Sequence, residues 1–393
     1  QYAANNVSLK SDDINSLLVE NNKMWTGSIS GLFRYKLGEN GQLSFLDRVH
    51  QAFALKIIKS SDNTYWLGTN QGLVHLDKQL KELSHFTKND FSSHYIRENA
   101  VLDVIQARNG DIFMASWEGG FSRLIDEKTA EFDNIGQRND PRGELQSLSI
   151  YALKEDKQGN IWIGSRAGID KYNQHLNSIT NYTLLDDEYI NATVYYIFEG
   201  ESGLWLGTNF GLYRYSTTED KFTAFPLTLD SQYIQAIAEE SDEVLWLTTF
   251  NGLYRVNLVN NETTKFTKKD GVQGNEFNTK GIFKAPDGWL YFSGTEGVTK
   301  VNTQQFTSSN FAPTINFVTL HLLESDKKQR IIGESALNLS ADENSFSITL
   351  IVDDYRSPAK LKYRYKLNHG KWNELDNTQT IKFLNQEYGL LKL

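Results

Sequence analysis

Cysteine is absent from this 393-residue chain, and proline (5) and methionine (2) are scarce. Without thiols there is no disulfide framework, no cysteine-ligated zinc and no thiol nucleophile. The lack of cysteine suits a bacterial envelope protein as well as a cytosolic one, so by itself it selects no compartment. No run approaches 18 consecutive apolar residues, which excludes a membrane-spanning helix within the sequence. The chain opens on Gln1 with no signal-like apolar stretch, and is expected to be a mature or excised piece of a longer protein. Basic clusters are also missing. Lys and Arg number 40 against 49 Asp and Glu, for a formal charge of −9, and no basic stripe marks nucleic acid as a partner. None of the seven histidines forms a His-x-His or His-Glu-x-x-His ligand pair, so neither metal nor cofactor is expected. The acidic doublets Asp12-Asp13, Asp186-Asp187 and Asp353-Asp354 read as solvated turns or caps rather than calcium ligands.

Glycine (28) and aromatic residues (12%) are what the chain has in quantity. They recur together. In Leu204-Trp205-Leu206-Gly207-Thr208-Asn209-Phe210-Gly211-Leu212-Tyr213-Arg214-Tyr215, two short aromatic and aliphatic runs flank a glycine that suits a tight turn. Equivalent hairpins centre on Trp25, Trp66, Phe113, Trp162, Trp246 and Tyr291, with spacings of 41, 47, 49, 43, 41 and 45 residues along the series. The third copy carries one extra turn residue. An apolar run with a polar turn precedes each hairpin, as in Ile150-Tyr151-Ala152-Leu153, and a strand with an aromatic follows, as at Phe86, Phe132, Phe222 and Phe266. A period in the forties with four strands per unit is the signature of a β-propeller. The fold expected is all-β: a seven-bladed propeller over residues 1–311, its strands a to d running outward from the channel. The seventh unit lacks a clear fourth strand, so a segment around Tyr2 is expected to close the ring and cover its edges.

Residues 312–393 read as a smaller sandwich. Phe346, Ile348 and Leu350 alternate with Ser345, Ser347 and Thr349, and Tyr363, Tyr365 and Leu367 alternate with Arg364 and Lys366. His369-Gly370 reads as a turn before Trp372.

The pattern aromatic-(Ile/Leu)-Gly-(Thr/Ser)-x-x-Gly-Leu-x-Arg-Tyr at this period resembles the two-component regulator propeller repeat. The stretch Asp270-Gly271-Val272-Gln273-Gly274-Asn275-Glu276-Phe277-Asn278 resembles the lead-in to that family's last blade. Asn344 to Ile348, Asp354-Tyr355-Arg356-Ser357-Pro358, Tyr363 to Leu367, Trp372 and Glu387-Tyr388-Gly389 resemble the three-tyrosine domain that follows such propellers. The resemblance implies the extracytoplasmic, periplasmic sensor region of a bacterial hybrid histidine kinase or diguanylate cyclase, with an immunoglobulin-like sandwich. It also implies a homodimer formed through that sandwich, and a membrane segment and effector outside this chain. Two departures stand out: seven repeats where many relatives carry fourteen, and a sandwich cut short at its last strand.

The repeated tryptophans read as packing between blades, and Arg34, Arg123, Lys171, Arg214, Arg255 and Lys300 as structural cations along strand c. Ser60 to Trp66 only loosely matches the aspartate box of sialidases, which is a turn motif and no catalyst. The expected ligand face carries the b–c turns and the connections between blades. Turn residues that break the repeat are the candidates: Asn70, Gln71, Trp117, Glu118, Arg166, Asn209, Phe210, Phe250, Asn251 and Glu296. Large aromatics are costly in a solvated turn, and beside Arg and carboxylates they suit a carbohydrate or another polar small molecule. The rival readings are a protein-interaction scaffold and a polysaccharide-cleaving propeller.

Overall fold

Each repeat forms an antiparallel sheet whose register follows from its glycines. In the fifth copy Trp205 pairs with Arg214 and Thr208 with Gly211. The Thr208 hydroxyl donates to Gly211 O at 2.8 Å and accepts from Phe210 N at 3.0 Å. Gly211 turns the chain at φ 104°, a left-handed value that favours glycine. The same hydroxyl bridge recurs at Ser28, Thr69, Ser165 and Thr249, which explains why the motif wants Ser or Thr there. Gly207 meets a different demand: a Cβ on it would sit 2.9 Å from Ile234 of the next blade.

A computed structural model describes residues 9–38, 42–89, 94–185, 192–303, 314–332, 336–352, 363–368, 370–375, 379–387, 389 and 392. The chain divides into two compact units, Gln1–Phe306 and Thr307–Leu393. Among the described residues there is no α-helix, and no helix is long and apolar enough to cross a membrane.

Among the described residues the first unit holds seven sheets, six of four strands and one of three. Blade 1 is β1 (Ile14–Glu20), β2 (Lys23–Ser28), β3 (Gly31–Leu37) and β4 (Leu43–His50). Blade 2 is β5 (Ala54–Lys59), β6 (Tyr65–Thr69), β7 (Gly72–Leu76) and β8 (Glu82–Phe86). Blade 3 is β9 (Val101–Gln106), β10 (Ile112–Ser116), β11 (Gly120–Asp126) and β12 (Glu131–Ile135). Blade 4 is β13 (Ile150–Glu155), β14 (Asn160–Ser165), β15 (Gly168–Asn173) and β16 (Ser178–Tyr182). Blade 5 is β17 (Val194–Gly200), β18 (Gly203–Thr208), β19 (Gly211–Ser216) and β20 (Lys221–Ala224). Blade 6 is β21 (Ile234–Ser241), β22 (Val244–Thr249), β23 (Gly252–Asn257) and β24 (Thr263–Phe266). Blade 7 is β25 (Phe277–Lys284), β26 (Trp289–Gly294) and β27 (Gly297–Asn302).

The first strand of each blade neighbours the first strand of the next, and β25 returns to β1. The core follows the same circuit, as one apolar cluster between each pair of successive blades. Trp25, Trp66, Trp205 and Trp246 each pack against the following blade. Trp162 sits with Val194, Leu206 and Phe222 of blade 5. Ile14, Leu17 and Met24 meet Tyr291 and Val298 to complete the ring. The expected closing strand around Tyr2 lies outside the described residues. Among those described, the blade 7–blade 1 junction is also held by Ser293 Oγ and Asn278 Nδ2, which donate to Ile14 O at 2.9 and 3.0 Å.

Strand-c cations lie opposite the strand-b aromatics and are engaged. Arg34 pairs with Asp47 at 2.5 Å and Arg255 with Glu240 at 2.6 Å. Arg214 stacks on Trp205 at 5.1 Å, and Lys171 on Trp162 at 5.4 Å. They are part of the architecture, not an anion ring.

In the second unit, strands β28 (Ile315–Leu322), β29 (Lys327–Arg330), β30 (Phe346–Val352), β31 (Tyr363–Tyr365), β32 (Asn373–Leu375) and β33 (Thr380–Phe383) are described. Four form a sheet in the order β29-β28-β30-β33, and β31 pairs with β32. Phe346, Ile348, Leu350, Ile381 and Phe383 are buried in one core, onto which Tyr363, Tyr365 and Leu375 pack from the two-stranded piece. Six described strands are fewer than an immunoglobulin-like sandwich needs. Asp353, Asp354, Tyr355, His369 and Tyr388 lie outside the described residues.

Candidate functional site

Strand alternation puts the start of each inner strand, the b–c turn and the end of strand d at one end of a blade. In blade 1 these are Ile14, Ser28 with Gly31, and His50, matched through consecutive ladders. All ten candidate residues therefore lie on one face of the ring, but they do different things there.

Asn70 and Asn209 are structural pins. Asn209 Oδ1 accepts from Thr193 N at 2.8 Å while Asn209 N donates to Thr193 O at 3.3 Å. Asn70 makes the same reciprocal pair with Phe53, at 3.0 and 3.2 Å. Each fixes the segment that leads into the inner strand of its own blade. Glu296 is paired with Lys268. Gln71 lends its carbonyl to His85, 2.9 Å away, and the carbonyl of Asn251 accepts from Tyr254. Glu118 takes the left-handed φ of 62° that accommodates the extra residue of the third turn. Phe210 is exposed on its turn.

Trp117, Arg166 and Phe250 belong together, through residues the sequence reading passed over. Six inner strands carry an irregularity at the same point, one residue after the first paired position. The residue at that point is Asn15, Leu55, Leu102, Tyr151, Tyr195 or Gln235. A bulge bends its strand and re-aims the extra side chain. In blades 4 and 5 that side chain is a tyrosine. Trp117 meets Tyr151 edge-on at 5.7 Å, and Tyr151 meets Tyr195 at 5.7 Å. Tyr233, just before β21, lies 5.7 Å from Phe250. Burial pushes the Tyr195 hydroxyl up, with Tyr151 and Tyr233 adding to it. The result is an aromatic arc from blade 3 to blade 6 around the channel mouth, with Trp117, Tyr233 and Phe250 exposed. Burial also raises Tyr151, while the positive charge of Arg166 opposes the shift.

Blade 7 reaches across below the arc. Between Phe277 and Ile282 its inner strand loses register and makes room for extra residues. Asn278 bonds Asp13 of the segment leading into blade 1 at 2.6 Å, and Thr279 donates to Gln235 of blade 6. Lys280 crosses to blade 3, donating to Leu102 O at 2.5 Å with Asp103 Oδ2 at 3.7 Å. Lys56 Nζ lies 3.6 Å from Asp103 Oδ1. Burial pushes Lys280 down to about 8, against the pull of Asp103. The same cause lowers Lys154 and raises Tyr196. The channel mouth thus has aromatic walls and a polar floor, where Lys56 and Lys280 face Asp103 and Lys154 lies near Glu199 and Glu155. Among the described residues no cluster of His, Asp or Glu could hold a metal ion.

A single signal in the sequence could have found the tyrosines. They follow the first apolar residue of strand a, a position that the other blades fill with Asn, Leu or Gln. The hairpin motif does not contain it.

The fold and its repeat have known counterparts. The two-component regulator propeller profile matches residues 144–167, which cover the lead-in, inner strand and b–c turn of blade 4. A histidine kinase of Formosa agariphila is 20% identical over 363 residues, covering 84% of this chain and 26% of that protein. The extracellular domain of a hybrid two-component system of B. thetaiotaomicron superposes with a TM-score of 0.80 at 20% identity, covering 98% of this chain and 53% of that one. Virginiamycin B lyase of Staphylococcus aureus matches 75% of this chain and 96% of its own at a TM-score of 0.58 and 15% identity. The chain spans about a quarter of the kinase (26%) and about half (53%) of the extracellular domain. This chain carries the two-component regulator propeller repeat, in an all-β propeller fold that it shares with the extracellular regions of hybrid two-component systems.

Proposed function

We propose that this chain is the ligand-sensing region of a bacterial transmembrane signalling receptor, lying on the periplasmic side and performing no catalysis itself. The observation that carries the reading is the aromatic arc of Trp117, Tyr151, Tyr195, Tyr233 and Phe250 at the channel mouth. Exposed rings on a rigid scaffold stack on sugar faces at low entropic cost, and a floor of hydrogen-bonding groups fixes orientation. The ligand is a carbohydrate or a comparably polar small molecule. Binding shifts the pairing of two copies through the second unit, and that shift passes to an effector outside this chain. Such a shift requires that the ligand bind one arrangement of the pair more tightly than the other. Support comes from the histidine kinase and the hybrid two-component extracellular domains that this chain resembles.

The test is a thermal-shift screen of the chain with oligosaccharides, followed by sedimentation with and without the best ligand. Binding at 100 times Kd raises apparent stability by about 2.7 kcal/mol through mass action. A silent screen, or a ligand that is cleaved on incubation, contradicts the reading.

A further inference from the structure

We propose that the channel mouth selects an acidic oligosaccharide, holding a ligand carboxylate or sulfate on the Arg166 guanidinium while its rings lie along Tyr151, Tyr195 and Tyr233. The proposal rests on the sensing reading above and adds the charge of the ligand to it.

Two observations carry it. The first is that Arg166 is idle. Its backbone is used, since Arg166 N donates to Ser149 O at 3.0 Å and its carbonyl accepts from Thr193. Its guanidinium makes no hydrogen bond and no ion pair among the described residues, although its charge is felt at Tyr151. The strand-c arginines differ: Arg34, Arg123 and Arg255 are ion-paired, and Arg214 stacks on a tryptophan and bonds a carbonyl. A fork of donors left free beside an aromatic wall matches the planar oxygen pair of a carboxylate or the oxygens of a sulfate.

The second is Gln235. It occupies in blade 6 the bulge position that Tyr151 and Tyr195 occupy in blades 4 and 5. It is only 1% exposed. Its Oε1 accepts from Thr279, yet its Nε2 has no hydrogen-bond partner. Buried amide donors are almost always satisfied, so this orphan at the start of the inner strand of blade 6 marks a missing acceptor. A ligand oxygen supplies one.

The floor itself is close to balanced in charge: Lys56 and Lys280 share the carboxylate of Asp103, and Lys154 lies near Glu199 and Glu155. The preference for an anion therefore rests on Arg166, whose charge is felt at Tyr151, with Glu118 beside Trp117 as an acidic group on the rim.

The experiment is calorimetric titration of the whole chain with three probes of matched length: tetragalacturonic acid, a sulfated carrageenan tetrasaccharide and cellotetraose. The first two separate carboxylate from sulfate as the source of the charge. Wild type is expected to bind at least one acidic probe tenfold or more tighter than cellotetraose. Arg166→Ala should remove that preference, and Arg166→Lys should restore part of it, since charge returns without the fork. Gln235→Glu should weaken the acidic probe more than the neutral one. Arg166 lies on an exposed turn, so melting curves of its variants should overlay the wild type. Equal affinity for acidic and neutral probes, or a preference that survives Arg166→Ala, overturns the proposal and leaves the sensing reading in place. Binding of none of the three, at concentrations where wild type is folded, overturns the proposal of an acidic oligosaccharide, and the broader screen above then decides the sensing reading.

Discussion

Lys280 of blade 7 and Asp103 of blade 3 meet across the central channel, Nζ to Oδ2 at 3.7 Å, with Leu102 O a further 2.5 Å acceptor for the same ammonium. Asp103 also accepts from Leu153 N at 3.0 Å, so one carboxylate ties blades 3, 4 and 7. Lys280 takes a left-handed φ of 65°, unusual for a side chain of this size, which the surrounding contacts must hold in place. The arrangement acts as a spoke inside the ring, and a buried ammonium makes it sensitive to pH.

Alkaline pH should stabilise the protein through this lysine. Its folded pKa is about 8 against 10.5 for the free group. Between those values the unfolded chain holds a proton that the folded chain has released, so stability rises with pH across the window. Below about 8 both states are protonated and the cost of burying the charge is complete. Compared with Lys280→Met, which has no charge to bury, wild type should gain about 2 kcal/mol between pH 7.5 and pH 10. Urea melts of both proteins at stepped pH measure the difference. A constant offset over that range would show that Lys280 does not titrate in the fold.

Asn209 and Phe210 are adjacent in one turn and should respond in opposite ways. The Asn209 side chain holds Thr193, so Asn209→Ala should cost about 1 kcal/mol of stability. Phe210 is exposed, and Phe210→Ser should change stability by less than about 0.5 kcal/mol. Chemical denaturation of the two variants settles the comparison. If Phe210→Ser were the more damaging, the turn would have a packing role that its exposure denies.

Trp205 is fully buried between blades 5 and 6, beside Leu245 and Leu247, with Phe225 at 5.2 Å and its indole N–H on Ser202 Oγ at 3.1 Å. Trp205→Ala should destabilise by about 3–5 kcal/mol, because the interface cannot collapse around the cavity. Arg214→Ala should cost much less, losing one stacking contact and one hydrogen bond to Ser202 O. Differential scanning calorimetry would reveal both effects. Similar losses for the two variants would mean that the cation, not the ring, organises this junction.

The blades were legible because their determinants are local. Trp205, Gly207, Thr208 and Gly211 each do one job within a single hairpin or against its next neighbour, so a repeat in the sequence is a repeat in space. The mouth of the channel was only partly legible. Trp117, Arg166 and Phe250 stand out as departures from the motif, whereas Asn70 and Asn209 depart from it just as visibly and prove to be pins. Tyr151 and Tyr195 show only when the position after the first apolar residue of strand a is compared across blades, because a bulge re-aims them and an apolar-tyrosine-apolar run reads as an ordinary strand. Gln235, Lys280 and Asp103 act across the ring, between residues far apart in the chain. No local pattern records such a contact.

Tyr195 occupies the middle of the arc, edge-on to Tyr151 at 5.7 Å and coupled in charge to Tyr233. Its ring is half-buried, which leaves one part to support the wall and another for a ligand. Tyr195→Ala should therefore weaken binding of the best oligosaccharide by about 1–3 kcal/mol, tenfold or more, as loss of a central aromatic anchor does. Tyr195→Phe keeps the ring and removes the hydroxyl. It should bind within about threefold of wild type if stacking dominates, a difference of about 0.7 kcal/mol. Titration calorimetry on both variants, with melting curves to confirm their folds, separates ring from hydroxyl. Undiminished affinity in Tyr195→Ala would place the ligand away from the channel mouth. Equal losses in the two variants would transfer the recognition from the aromatic face to a hydrogen bond made by the phenol.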